Sequence, residues 1–147
     1  MEQNYIGSGL NLNPILYWKY VMAIKRSYPC IVFFDIVPKQ LETWAKKYPR
    51  ISFIVEFSNY REFPNKYFSS NIIYRWRESL SDEEWLERWR WTDILLCDKE
   101  KLDYWLQANL CGVKCIFNEK DLNLDEVQVL TSVERIENWE NAKNLLT

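Results

Sequence analysis

Hydrophobic positions along the chain alternate between short unbroken runs and spaced sets of helical period. Apolar runs at residues 30–36, 51–57, 71–76, 93–97 and 113–117 have the length and the β-branched and aromatic content of buried strands. A shorter run at 4–6 reads as a further, opening strand. Between them lie helical patterns. Leu41, Trp44, Ala45 and Tyr48 follow at i, i+3, i+4 and i+7, an amphipathic stripe that Pro49 stops. Trp85, Leu86 and Trp89 form a second stripe, and Leu102, Trp105, Leu106 and Leu110 a third. Before the 30–36 strand, Trp18, Val21 and Met22 with the Lys25 stem are expected to share one helix face, and that helix to end near Tyr28-Pro29. Residues 58–70 are polar and aromatic with Pro64 and read as a loop. Residues 127–130 suggest a short strand, and Ile136, Trp139, Ala142 and Leu146 a closing helix.

Boundary residues support this division. Asn13 can cap a helix with Pro14 at its first position, where a missing N–H costs nothing. Ser81 with Glu84, and Thr131 with Glu134, have capping-box spacing. Asp98 is placed to cap the 102–110 helix, and Gly112 to end it in the left-handed conformation. Strands alternating with helices predict an α/β class fold: one Rossmann-like three-layer domain, a mostly parallel sheet of about six strands, and helices on both faces. Residues 1–147 form that one domain, with 124–147 as an extension packing back on it. A chain of 147 residues can bury enough surface to fold around one core.

Composition narrows the functional classes. Net charge is −2, without the basic excess of a duplex nucleic-acid binder. No apolar run approaches the roughly 20 residues that span a bilayer. The opening residues show no basic region followed by a hydrophobic stretch, so a cytoplasmic location is expected, the host cytoplasm if the protein is viral. The wealth of Asn, Ile, Lys, Tyr and Phe beside only three Gly points to an A/T-rich genome, that of a virus or a low-G+C microbe. Cys30, Cys97, Cys111 and Cys115 form no CxxC pair and read as buried free thiols. With no histidine, the commonest metal ligand and general base is missing. Neither a metal nor a cofactor is indicated.

The carboxyl ends of strands line the crevice of a parallel sheet. That rule selects Gly7, Ser8, Gly9, Asp35, Ser58, Asn59, Arg77, Glu78, Asp98 and Asn118 as ligand-binding candidates. A glycine turn after a first strand lets backbone N–H groups approach phosphate, and Asp35 would then take a ribose hydroxyl. The dinucleotide fingerprint is broken, however, because Leu12 occupies the third glycine position. Acid–base work would fall to Asp35, Glu56, Glu78 or Asp98. Glu126 and Glu134 form a further acidic pair, in which Glu134 already serves as a cap. The arginine–aromatic runs Tyr74-Arg75-Trp76-Arg77 and Arg88-Trp89-Arg90-Trp91 can stack on sugars, bases or a partner, or simply place aromatics inward and arginines in water.

Several segments resemble the N-terminal Rossmann-like domain of GT-B glycosyltransferases, especially the group with spore-maturation-type N-terminal domains. They are residues 5–9, 17–25, 33–36, 72–76, and above all Thr92-Asp93-Ile94-Leu95-Leu96-Cys97-Asp98 followed by a helix and residues 112–117. The resemblance covers about 125 residues and implies a domain that meets the acceptor, while a second domain holds the nucleotide sugar. Too few residues follow Asn123 to supply that second domain. It therefore implies half an enzyme, one that pairs as a homodimer or with a partner protein, or one that has given up catalysis. Three functions follow: a glycosyltransferase-like domain binding a sugar, glycan, nucleotide or nucleotide-sugar ligand; a non-catalytic protein–protein interaction module; and a small nucleotide- or S-adenosylmethionine-binding enzyme using Gly7, Gly9 and Asp35.

Overall fold

A computed structural model describes residues 5–6, 10–11, 13–22, 24–58, 69–77 and 80–146. Its centre is a five-stranded, all-parallel sheet built from β3 (Cys30–Phe34), β4 (Ser52–Phe57), β5 (Ile72–Trp76), β6 (Ile94–Leu96) and β7 (Lys114–Ile116). The spatial order is β5-β4-β3-β6-β7. The chain winds outward from β3 to β5, then crosses back to lay β6 on the other side of β3. The order reverses between β3 and β6, as in doubly wound α/β sheets.

The sheet has five strands among the described residues, one fewer than expected. The opening segment is the reason. β1 (Tyr5–Ile6) pairs antiparallel with β2 (Leu10–Asn11) in a separate two-stranded unit, so it does not join the parallel sheet. Residues 127–130 form no strand either. They follow two short 3-10 turns, Glu119–Asp121 and Leu124–Glu126.

The sheet separates two cores. On one face, Val32, Phe34, Ile54 and Leu95 pack under α1 (Pro14–Val21), α3 (Asp82–Arg90), α4 (Leu102–Leu110) and α5 (Ser132–Leu145). On the other, Ile31, Phe33, Phe53, Val55 and Leu96 meet Leu41 and Ala45 of α2 (Leu41–Lys47) and Leu124. Period-2 alternation with both faces apolar explains why the strands read as continuous hydrophobic runs.

The helix ends follow the sequence signals in most cases. Asn13 accepts a hydrogen bond from Ile15 N, and both capping boxes form, Ser81 with Glu84 and Thr131 with Glu134. Asp98 does not cap α4. Its carboxylate accepts from Glu100 N, and Lys101 occupies the cap position with no side-chain bond. α1 is shorter than expected, and rotated. It ends at Val21 and buries Tyr17, Tyr20 and Val21, leaving Trp18 and Met22 outside. Tyrosine competes well for that interior because Tyr17 finds a partner there, the Gln107 amide, which donates to its hydroxyl at 3.2 Å.

One residue with no hydrophobic signature holds the helical layer together. Arg135, fully buried on α5, donates from Nε to Val21 O (3.0 Å) and from Nη1 to Thr92 O (2.9 Å). Its Nη2 donates to Tyr20 O (3.4 Å), Trp89 O (2.7 Å) and Cys111 O (2.8 Å). These carbonyls lie at the carboxyl ends of α1, α3 and α4, where the last turn of every helix lacks intrahelical donors and the helix dipole is negative. One guanidinium therefore satisfies three helix termini and opposes their partial charges. Burial pulls its pKa down to about 10, which leaves it charged at neutral pH. Gly112 takes φ +86° beneath it, where an added Cβ would stand 2.8 Å from Arg135 Cβ. Beside this staple, Asp93 accepts from Arg26 Nη1 and Nη2 (2.9 and 2.8 Å), Cys30 N (2.8 Å) and Leu130 N (2.9 Å). Arg26 and Asp93 are both buried at the amino edge of the sheet, and they tie the starts of β3 and β6 to the segment entering α5.

Candidate functional site

The opposite, carboxyl edge is open. Where β3 and β6 diverge, Phe34, Asp35, Ile36, Ser58, Asp98, Lys101 and Phe117 line a cleft of about 620 Å³. Asp35 follows the last residue of the central strand with φ +56°, the only positive φ at a non-glycine residue among those described. Asp and Asn tolerate the left-handed region better than most side chains, and such conformations gather at functional sites. Its carboxylate is fixed on both oxygens: Oδ1 accepts from Ser58 N and Oδ2 from Ser58 Oγ, each at 2.8 Å. Its backbone N–H donates to Glu56 O at 2.9 Å, which extends the ladder between β3 and β4 by one residue. Lys101 Nζ stands 3.8 Å from Asp35 Oδ2.

Across the switch point, Asp98 leaves β6 exposed, one of its oxygens engaged by the Glu100 N–H. Phe117, at the exit of β7, presents a partly exposed ring, supported edge-on by Trp105 with centroids 5.0 Å apart. Trp105 is itself pinned by Nε1 donating to Lys99 O at 2.9 Å. The cleft thus combines two carboxylates, an ammonium, a hydroxyl and an aromatic platform. No glycine lies in either loop at the switch point: Asp35 is followed by Ile36-Val37-Pro38, and Asp98 by Lys99-Glu100-Lys101.

Of the sequence candidates, Asp35, Ser58 and Asp98 meet in this cleft. Asp35 stands at the end of the first strand of the sheet, not the second as expected, because the opening segment lies outside the sheet. Arg77 lies two strands away, past the end of β5, its guanidinium 3.5 Å above the Trp85 ring. Asn118 is occupied locally, accepting from Lys120 N at 3.0 Å. Gly7, Ser8, Gly9, Asn59 and Glu78 fall outside the described residues; the strands flanking Gly7–Gly9 pair with each other in the hairpin. Lys101 and Phe117 are the members that sequence reasoning missed. The available signal was a charged residue directly before a helical stripe, and an aromatic one at the exit of the last strand.

Glu56, the remaining acid considered for chemistry, is buried on the helix-covered face and paired with Arg75, with Nη2–Oε2 at 2.6 Å and Nε–Oε2 at 3.2 Å. The two residues are register partners on β4 and β5. Burial, and then the nearby Glu56 charge, raises the Tyr104 hydroxyl well above the usual tyrosine range, and Tyr104 stacks on Phe34 at 3.7 Å. The four cysteines are free thiols. Burial pushes Cys30 and Cys97 up to about 12, so neither is a poised nucleophile. Among the described residues no group of three or more Cys, Asp or Glu is arranged to hold a metal ion, and no helix is long and apolar enough to cross a membrane.

No protein-family model matches the chain, and neither a curated protein nor a solved structure matches it.

Proposed function

We propose that this chain is a glycosyltransferase-like, sugar-binding domain that takes the hydroxyls of a sugar or glycan in the cleft between β3 and β6. The observation that carries the reading is Asp35, held at the switch point in the left-handed conformation with both oxygens oriented by Ser58. A fixed carboxylate accepts hydrogen bonds from hydroxyl groups without reorganising. Asp98 offers a second acceptor, Lys101 a donor, and the Phe117 ring an apolar surface for the C–H face of a pyranose. The GT-B resemblance of the sequence agrees with such a ligand.

The same geometry disfavours a nucleotide. In dinucleotide-binding sheets the loop after the central first strand is glycine-rich, so that backbone N–H groups reach the pyrophosphate. Here that loop holds Asp35, Ile36, Val37 and Pro38, which places a negative charge and a residue without an N–H where a diphosphate would need donors. The ligand class is therefore uncharged and rich in hydroxyls.

Thermal-shift and calorimetric titration against neutral mono- and oligosaccharides, UDP-, GDP- and dTDP-sugars and S-adenosylmethionine tests this reading. A sugar that binds raises the melting temperature by mass action, and the shift disappears in Asp98→Ala. A shift produced by the nucleotide sugars or S-adenosylmethionine but by no neutral sugar would overturn the reading.

A further inference from the structure

Outside the buried Arg26–Asp93 pair, the amino edge of the sheet carries a second cleft, of about 710 Å³. It lies between the turn entering β3, the connection from α2 to β4 and the segment leading to α5, and its size is that of a small-molecule site. Two cations stand on its wall without the partners such residues usually take. Lys47 and Arg50 are exposed, and among the described residues neither forms an ion pair. Lys47 closes α2, where a lysine ordinarily serves the last carbonyls of the helix. Here Asn71 Nδ2 already donates to Ala45 O, Tyr48 O and Ile51 O, at 3.0, 3.1 and 3.0 Å. Each cation lies instead over a tyrosine ring of the same wall, Lys47 at 5.4 Å from the Tyr48 centroid and Arg50 at 5.7 Å from that of Tyr28.

We propose that this cleft binds a phosphate monoester with a flat or apolar body. Two cations without ion-pair partners match the nearly two negative charges that such a group carries at neutral pH. Arg26, a further residue of the wall, spends its Nη atoms on Asp93 and Trp91 O, and its buried Nε has no acceptor among the described residues. Asp125, the carboxylate on the wall, is taken up by the Tyr48 hydroxyl, which donates to it. With Arg26 balanced by Asp93, Lys47 and Arg50 face that single carboxylate, so the wall is net positive on a chain of net charge −2. The Tyr28 ring, half-exposed, and the side chains of Ile51, Leu124, Val127 and Val129 supply the surface on which an apolar body is sheltered from water. Inorganic phosphate would use the cations and leave that surface wet. The cleft shares no lining residue with the sugar cleft at the carboxyl edge, so the two are filled independently.

Amide NMR spectra of the labelled full chain, titrated with phenyl phosphate, phenol and inorganic phosphate up to about 20 mM each, test the proposal. Phenyl phosphate is expected to give saturable shifts at residues 26–29, 47–51 and 124–129, with an affinity at least about fivefold above that of either fragment. Its dissociation constant should rise at least about tenfold when Lys47→Ala and Arg50→Ala are combined, and also as sodium chloride is raised from about 0.05 to about 0.5 M. Both side chains are exposed, so the double variant keeps the fold, which circular dichroism confirms. Tyr28→Ala, a second exposed position, should weaken phenyl phosphate while leaving inorganic phosphate unchanged. Phenyl phosphate that gives no saturable shifts, or that binds no better than phenol or inorganic phosphate, overturns the proposal. So does binding that the folded double variant leaves undiminished, or shifts that gather at Asp35, Ser58 and Asp98 instead, since those assign the anion to the other edge.

Discussion

The two edges of the sheet use charge in opposite ways. At the amino edge, Asp93 and Arg135 are buried and their polar atoms reach backbone: Asp93, paired with Arg26, also receives Cys30 N and Leu130 N, and Arg135 reaches five carbonyls. At the carboxyl edge, Asp35, Asp98 and Lys101 border an open cleft, and only part of their hydrogen-bonding capacity is used. A buried charge surrounded by backbone is a device of folding, because it replaces the water that helix ends and strand ends would otherwise require. A partly exposed charge held in a strained but fixed conformation keeps capacity for a ligand. The comparison separates polar residues spent on the fold from polar residues left open to solvent.

The sharpest way to break this comparison is at Arg135. Replacing it with Met keeps the stem but takes the guanidinium from five buried carbonyls, at a cost of at least ~4 kcal/mol, a large share of the roughly 5–15 kcal/mol that holds an ordinary domain folded. Lysine should not rescue it, because an ammonium has three donors around a point and cannot span carbonyls from three helices. Urea denaturation followed by circular dichroism measures both. A folded, cooperative Arg135→Met protein with a near-native midpoint would remove the structural role assigned to the amino edge.

Two thiols compare the dryness of the edges. Cys30 lies at the amino edge beside Asp93 and Cys97 at the carboxyl edge beside Asp98; burial first, and then the neighbouring carboxylate, pushes each up to about 12. In the unfolded chain a thiol ionises near 9, so above that pH the unfolded state gives up a proton that the native state keeps. Stability is whole below about pH 9 and falls as pH rises toward 12, by about 1.4 kcal/mol for each cysteine at pH 10. The window to measure is about 9 to 10, because Arg135, pulled down to about 10, contributes with the opposite sign above it. Urea midpoints of the wild type, Cys30→Ala and Cys97→Ala across that window give the share of each of these two thiols, while Cys111 and Cys115, also pushed up by burial, add a loss of the same sign to every protein compared. If only Cys30 contributes, water reaches Cys97 and the carboxyl edge is the wetter of the two.

The contrast between the edges also marks what the sequence could and could not convey. Five strands and the periodic helices were legible because continuous apolar runs and i, i+3, i+4 spacing are local signals, and so were the two capping boxes and the left-handed Gly112. Asp35 and Asp98 were legible from the rule that strand exits line the crevice. The Gly7–Gly9 turn carried the same signal, but whether the strand before it joins the sheet depends on distant pairing. The facing of α1 was misjudged because every residue of that helix except Lys19 is apolar or aromatic, so periodicity gave little direction. Arg135 left no trace at all: a single arginine inside a helix rich in Glu and Asn reads as a solvated position, and only the meeting of three helix ends makes it interior.

The mildest perturbations should come from the cleft itself, where they sharpen the comparison most. Asp98 is exposed and makes one local bond, so Asp98→Ala should change stability by no more than ~0.5 kcal/mol. Asp35 differs because its backbone is committed. Asparagine tolerates φ near +56° and can still accept from Ser58 N, so Asp35→Asn should stay within ~1 kcal/mol of the wild type. Alanine tolerates that φ less well and loses both bonds to Ser58, for a cost of about 1–2 kcal/mol. The order Asp98→Ala, Asp35→Asn, Asp35→Ala, read from urea midpoints, is the signature of a residue shaped for position rather than for support. An Asp35→Ala protein more stable than the wild type would be more telling still, because a side chain whose removal stabilises the fold is kept for something other than folding.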